Sequence, residues 1–240
     1  MCRKSDNSVY IYRHIIKAVY GFFFVALLLS ISGCFQQSSK QQQKSISYLA
    51  KSDIDTVTDI NLQNSLKHLR ALAKKLYLRN PKELSKSGFK SANDAIKHIF
   101  SSANSSSKQN THYLELAFDE NFSGDRVYNL IKGMKNMIMA SYENKSEFFM
   151  FDELDPQKLY NCARNMEIVA WKLNTARKSG GQLLILSNSM DGPVKNMSYE
   201  RLFGKLIAQQ DMMALIVSEK TNRSIKRIVQ TLASAVFLPI

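Results

Sequence analysis

The sequence is poor in the residues that make tight turns, with nine glycines and four prolines among 240 residues. A β-sandwich or β-barrel of many short strands needs such residues at its frequent turns. Their scarcity argues against those folds and predicts a mostly α-helical protein with a multi-helix, bundle-like domain. At most one minor β element is expected, near residues 182–187, where the apolar run QLLILS follows Gly180 and Gly181.

Signatures of catalysis are also scarce. The chain has no Gly-x-Ser-x-Gly motif and no glycine-rich phosphate-binding loop. Its three cysteines are too few for a cysteine-based zinc framework, and His68, His98 and His112 form no helical zinc pair. We therefore predict no cofactor and favour a non-enzymatic protein, while an enzyme with dispersed catalytic residues stays open.

Acidic residues are outnumbered by basic ones, and the formal net charge is +13. Residues 1–33 hold four cations and one acid, so the remainder keeps a charge of +10. Such a balance favours acidic partners such as phospholipid head groups, anionic glycans or nucleic acid. The alternative is a solvated basic surface without a partner.

One long apolar run is present, and it lies near the N-terminus. Residues 1–20 carry the four cations, and an apolar block from Gly21 to Ser32 follows before the chain becomes polar at Gln36. This order is typical of an export signal. The uncharged run from Ala18 to Phe35 is also on the order of 18 residues, the lower limit for a membrane span. An uncleaved anchor and a buried core helix are therefore the alternatives.

The end of this block, Ile31-Ser32-Gly33-Cys34, resembles the lipobox of bacterial lipoproteins: a branched apolar residue, two small residues and a cysteine. The resemblance implies cleavage between Gly33 and Cys34 and lipidation of the Cys34 sulfur. Small side chains before the cysteine let a peptidase approach the backbone, and several acyl chains at one site anchor a protein stably. Cys162 would then be the only free thiol, and an internal disulfide would be impossible.

The resemblance also implies a compartment. Phe35 stands where an aspartate would retain an enterobacterium-like lipoprotein at the inner membrane, so the outer membrane is expected, with the domain on the periplasmic face. The inner membrane is the alternative. A periplasmic address removes nucleic acid as a natural partner. Residues 34–50, the lipidated cysteine and a Gln/Ser/Lys-rich stretch, are expected to be a flexible tether.

The remainder is expected to contain a helical segment at 51–100, a loop at 101–110 and a C-terminal helical domain at 111–240. Apolar residues at helical spacing predict helices within 61–77, from Ser91, at 125–142, from Asp155 to Leu173, from Ser198 to Val217 and at 224–237. Asp155-Pro156 is a strong helix start, and Ser198 is expected to cap the helix that it precedes. Asn80-Pro81 is expected to end the helix within 61–77, with Pro81 opening a short helix after it. The stretch HYLELAF, residues 112–118, fits either a strand or a helix. Inward positions of the last helix would be Ile225, Ile228, Val229, Leu232 and Val236.

Two acidic stretches are weak candidates for chemistry. Asp119, Asn121 and Ser123 imitate the front half of a calcium loop, but Leu130 stands where a closing glutamate belongs, so a helix-capping turn is preferred. The second stretch, FDELDP at 151–156, places three acids at a helix start, which favours capping over an acid/base pair.

A basic group near the C-terminus is the best candidate contact surface. Arg223 and Arg227 would share a face of the last helix. The full set of predicted contacts to a partner or to lipid head groups is Arg201, Lys205, Lys220, Arg223, Lys226 and Arg227.

These features together predict a lipid-anchored periplasmic protein that acts as an interaction or scaffold module of the cell envelope. A lipid- or glycan-binding protein is the alternative, because Met134, Met137 and Met139 on one helix are suited to line an adaptable cavity. An envelope hydrolase comes third.

Overall fold

The described part of the protein is a set of helices joined by short connections. A computed structural model describes residues 51–102, 107–189, 195–227 and 236–240. The predicted signal peptide, lipobox and tether therefore lie outside the described residues. The helices are α1 (Asp53–Arg79), α2 (Pro81–Lys86), α3 (Ala92–Ser101), α4 (Ser107–Phe118), α5 (Arg126–Ser141), α6 (Pro156–Thr175) and α7 (Ser198–Thr221). Within these residues no strand is present, which confirms the mostly α fold.

The predicted helix ends are confirmed where a side chain caps them. Ser91 accepts a hydrogen bond from the Asp94 amide, and Asp155 accepts one from the Gln157 amide with Pro156 in the first turn. Asn80 ends α1, and Pro81 begins α2. Each arrangement satisfies backbone groups that a helix end leaves without intrahelical partners. Ser198 differs from its predicted role, because it is the first helical residue and the cap position is Met197.

Helix α5 lies at the centre of the core and contacts α1, α2, α3, α4 and α6. Even the two lysines of this helix are buried, since Lys132 and Lys135 are only 4% and 5% exposed. Both ammonium groups donate to Ser102 at the end of α3, and the bond from Lys135 to the Ser102 carbonyl is 2.7 Å long. There they complement the negative end of the α3 dipole. Burial, with the nearby charges of Lys132 and Arg70, lowers the pKa of Lys135 to about 8.

The segment at 101–110 joins two helices of one compact unit, which comprises residues 52–240. Helix α4 begins at Ser107, within the predicted loop, and extends through 112–118, which settles that stretch as helix. The predicted segment at 51–100 and the domain at 111–240 are not separate, because α1 packs along α7 and α5.

The apolar run at 182–187 forms no strand, although Leu183 makes an isolated antiparallel bridge with Arg177. Instead, the side-chain amide of Asn80 pairs with Leu186. It accepts from the Leu186 amide at 2.8 Å and donates to the Leu186 carbonyl at 2.9 Å. Leu184 and Ile185 are buried in the core. A single side chain thus takes the place of a neighbouring strand.

The helix predicted at 224–237 is wrong where the chain is described, since residues 223–227 and 236–240 are not helical. Asn222 adopts a left-handed conformation with φ of 52° and ends α7. Gln157 then bonds to both backbone groups of Lys226, and Asn165 bonds to both backbone groups of Leu238. The predicted inward positions Ile228, Val229 and Leu232 lie outside the described residues.

The core positions of this terminal segment also differ from the prediction. Val236 is 72% exposed, whereas Leu238 is buried. Ile225 is half-buried against the core. Side-chain amides of α6 satisfy the backbone groups of Lys226 and Leu238 in place of helical hydrogen bonds.

Candidate functional site

A cleft of about 380 Å³ opens where the first turns of α1, the connection between α5 and α6 and the end of α7 meet. Its floor includes Ile54, Phe148 and Val217, and its rim carries charges of both signs. The α1 wall begins at a capping box between Ser52 and Asp55, which fixes the first turn of that helix.

The connection from α5 to α6 is pinned at several points. Glu143 and Asn144 take left-handed conformations, with φ of 52° and 57°, and turn the chain after α5. The Phe148 amide donates to Asp59 Oδ1 of α1 at 2.9 Å, while its ring packs edge-on against Tyr142. A turn from Phe149 to Asp152 follows, with hydrogen bonds of 2.8 and 2.9 Å. The backbone around the rim is therefore held in place.

At the tip of this pinned connection, two apolar side chains face solvent. Phe151 is 92% exposed and Met150 is 51% exposed. Large aromatic and methionine side chains are enriched at protein interfaces, and burial of an aromatic ring contributes strongly to binding. An exposed phenylalanine on a fixed backbone loses little conformational entropy on binding, which favours recognition.

Two cation–carboxylate pairs cross the cleft. Lys220 Nζ lies 3.8 Å from Asp55 Oδ1, and Arg223 Nη2 lies 3.0 Å from Glu153 Oε2. Asp55 is only 3% exposed, so its pair is shielded from water on one side. A third carboxylate, Asp152, is bonded to Lys145, and this bond lowers the pKa of Asp152.

This arrangement fits recognition better than acid/base catalysis. As far as the described residues extend, no histidine lines the cleft. Each of its three carboxylates is already bound to a cation, whereas general acid/base pairs need carboxylates whose pKa values are driven apart. Among the described residues no group of three or more His, Cys, Asp and Glu side chains is placed to hold a metal ion.

The six predicted basic contact residues do not form one surface but lie in three places. Lys220 and Arg223 meet in the cleft, whereas Arg201 and Lys205 are exposed on the first half of α7. Lys226 and Arg227 lie in the non-helical segment, so Arg223 and Arg227 do not share a helix face. Sequence analysis missed Phe151. The available signal was the run FFMF at 148–151, four apolar residues outside a helical pattern.

The loop that holds the weak calcium candidates folds around an arginine. The guanidinium of Arg126 donates to the carbonyl oxygens of Ala117, Asp119, Glu120 and Phe122. The carbonyl oxygens of this loop are thus directed at a protein cation. The side chain of Asp119 accepts from the Asn121 amide at 3.0 Å, and Ser123 is exposed. Asp125 caps α5, as the preferred capping-turn interpretation predicts.

The free thiol of Cys162 is structural. Its side chain is fully buried on α6, and this burial raises the pKa of the thiol to about 12. A thiol protonated at neutral pH is a poor nucleophile.

Comparisons with known proteins do not assign a function to this chain. No protein-family model, no curated protein and no solved structure matched the chain. Among the helices that the structure describes, none combines the length and the apolar character needed to cross a bilayer.

Proposed function

We propose that this protein is a lipid-anchored interaction module of the bacterial cell envelope, which binds another envelope protein at the cleft between α1, α7 and the α5–α6 connection. The observation that carries the binding site is Phe151, an almost fully exposed aromatic ring on a pinned backbone. The lipobox-like sequence before Cys34 supports the anchor, and the polar stretch after Phe35 supports a tether. The outer membrane, with the domain on the periplasmic side, is the proposed location.

The cleft has the composition of a protein interface. An apolar centre formed by Met150, Phe151 and Ile54 is flanked by the pairs Lys220–Asp55 and Arg223–Glu153. Apolar anchors surrounded by polar groups are the usual arrangement where a few residues supply most of the binding energy. Both charge signs at the rim favour a partner with a mixed charge pattern over a uniformly anionic polymer.

The alternative of a lipid- or glycan-binding protein was suggested by three methionines, and their positions do not add support for it. Met134, Met137 and Met139 are at most 8% exposed and belong to the packed core. None of them lines the cleft.

The anchor is tested by Cys34→Ser. Serine lacks the thiol to which lipid is attached, so we expect this variant to lose fatty-acid labelling and to keep its N-terminal segment. Intact mass of the wild-type protein should show a chain that begins at a lipidated Cys34. A wild-type chain that begins unmodified at Met1 would overturn the anchor.

The cleft is tested by a photo-crosslinking amino acid at Phe151 in the full-length protein within its own envelope. We expect a discrete adduct with one protein, because the side chain at this position faces the proposed partner. Leu186 provides the matched control, since it is 45% exposed and lies outside the cleft. Equal adducts at both positions, or none at Phe151, would contradict the proposed interface.

A further inference from the structure

Helices α1 and α7 lie side by side in opposite directions. Asn61 donates to the Gln209 carbonyl at 2.9 Å, and Ser65 Oγ donates to Gln209 Oε1 at 3.1 Å. Farther along α1, Lys75 bonds to Ser198 at the start of α7. The beginning of α1 is therefore next to the end of α7, and the outer sides of both helices form one continuous face.

An apolar patch occupies one half of this face. It consists of Val57 and Ile60 on α1 and Met212 and Leu215 on α7, which are between 44% and 62% exposed. The Asn61–Gln209 bond places these four positions at one level of the helix pair. The patch holds four of the ten large apolar side chains that are exposed in the described residues, so apolar surface is concentrated here.

Cations occupy the other half. On α1, Lys67 and Lys74 follow Ile60 at helical spacing, so they lie on the same side of the helix. On α7, Arg201 and Lys205 precede Met212 at helical spacing and share its side. All four cations are exposed. Burial lowers the pKa of His68, and the positive charges of Lys205 on α7 and Lys67 on α1 lower it further. None of the four cations forms a salt bridge within the described residues.

We infer that this face, the α1–α7 face, rests on an anionic lipid bilayer. This inference depends on the proposed lipid anchor and adds the orientation of the domain. Apolar side chains that enter the interface and lysines or arginines that contact head groups are the two contributions by which surface helices bind membranes. The four unpaired cations outnumber the two exposed acids on the same face, Asp53 and Glu219, and give it charge complementarity with acidic lipid. The apolar patch supplies the part that enters the interface.

The position of the apolar patch along the chain also supports contact with a lipid bilayer. Helix α1 begins at Asp53, so Val57 and Ile60 lie within its first three turns after the predicted tether. The predicted tether of 17 residues, 34–50, would span on the order of 20 Å as a flexible coil. An anchor at Cys34 would therefore keep the face at a high effective concentration near the bilayer, where a weak surface contact is sufficient.

Membrane contact would leave the cleft accessible. On α1, the cleft residues Asp55 and Thr58 are buried on the inner side, whereas Val57 and Ile60 point outward. The α1–α7 face and the cleft therefore use different sides of the same helices. The protein can lie on lipid and bind a protein partner at the same time.

The experiment uses the mature, lipidated protein in vesicles of phosphatidylglycerol and phosphatidylethanolamine, with phosphatidylcholine vesicles for comparison. Ile60→Cys and Leu215→Cys are each labelled with a polarity-sensitive fluorophore, and Phe151→Cys is the matched control outside the face. Native Cys162 is buried and does not compete for the label. We expect lipid-borne quenchers to act several-fold more strongly at positions 60 and 215 than at 151, in the anionic vesicles.

Charge reversal separates lipid contact from other causes of a shielded label. Lys67→Glu with Lys205→Glu should lower the quenching at position 60 to the level at position 151 at low salt, since each cation near an anionic surface contributes on the order of a kilocalorie per mole. Vesicle-bound protein with a solvent-exposed label at position 60 would overturn the docking and leave the anchor intact. A label shielded without vesicles would also overturn it, because a second copy or another protein would then cover the face. Failure to float with vesicles would overturn the anchor as well.

Discussion

Leu69→Ala is expected to lower the free energy of unfolding by about 2–5 kcal/mol, the range for a leucine removed from a packed core. Leu69 lies in α1 with 0% exposure, and it belongs to the cluster that joins α1 to the helices around it. Truncation leaves a cavity that the neighbouring side chains fill only in part. The measurement is urea unfolding followed by far-ultraviolet circular dichroism.

Leu78→Ala is the matched control for this experiment. It lies in the same helix, makes the same chemical change and starts from a side chain that is 71% exposed. Because alanine and leucine are both good helix formers, the backbone contribution is similar at the two sites. We expect Leu78→Ala to change stability by at most about 0.5 kcal/mol. Equal effects at the two positions would contradict the packing of α1 described above.

Arg126→Met is expected to destabilise the fold by about 1–3 kcal/mol, the scale for buried hydrogen-bonding groups that lose their partner. Arg126 is 2% exposed, and its guanidinium satisfies the four carbonyl oxygens between Ala117 and Phe122. Methionine retains the apolar volume but donates no hydrogen bond, so these oxygens lose their partner. Chemical unfolding measures the loss, and hydrogen exchange should localise the loosening to residues 119–124.

Two further variants make the result specific. Arg126→Lys should recover part of the stability, because an ammonium group restores the charge but lacks the planar set of five donors. Arg201→Met removes an exposed arginine and should have an effect within about 0.5 kcal/mol. If Arg126→Met were as mild as Arg201→Met, the loop would be held by its own turn and not by the guanidinium.

The sequence by itself determined where several helices begin or end and which sides of those helices are buried. Asp155-Pro156, Asn80-Pro81 and Ser91 act within a few residues, so their effect on helix ends follows from local hydrogen bonding. The inward residues Leu159, Ala163, Met166 and Leu173 of α6 are all buried, because a spacing of three or four residues places them on one side. The lipobox, the tether and the compartment remain predictions from sequence.

Only the tertiary structure decided how the C-terminal segment, the run at 182–187 and the cleft are formed. Asn80, Gln157 and Asn165 bind backbone groups of Leu186, Lys226 and Leu238, which are 106, 69 and 73 residues away in sequence. At Leu186 and Lys226 these bonds are found where local patterns predicted a strand and a helix. The cleft likewise combines three distant parts of the chain. A side-chain amide can satisfy any backbone segment that folding brings within reach, and periodicity along the sequence contains no information about which segment that will be.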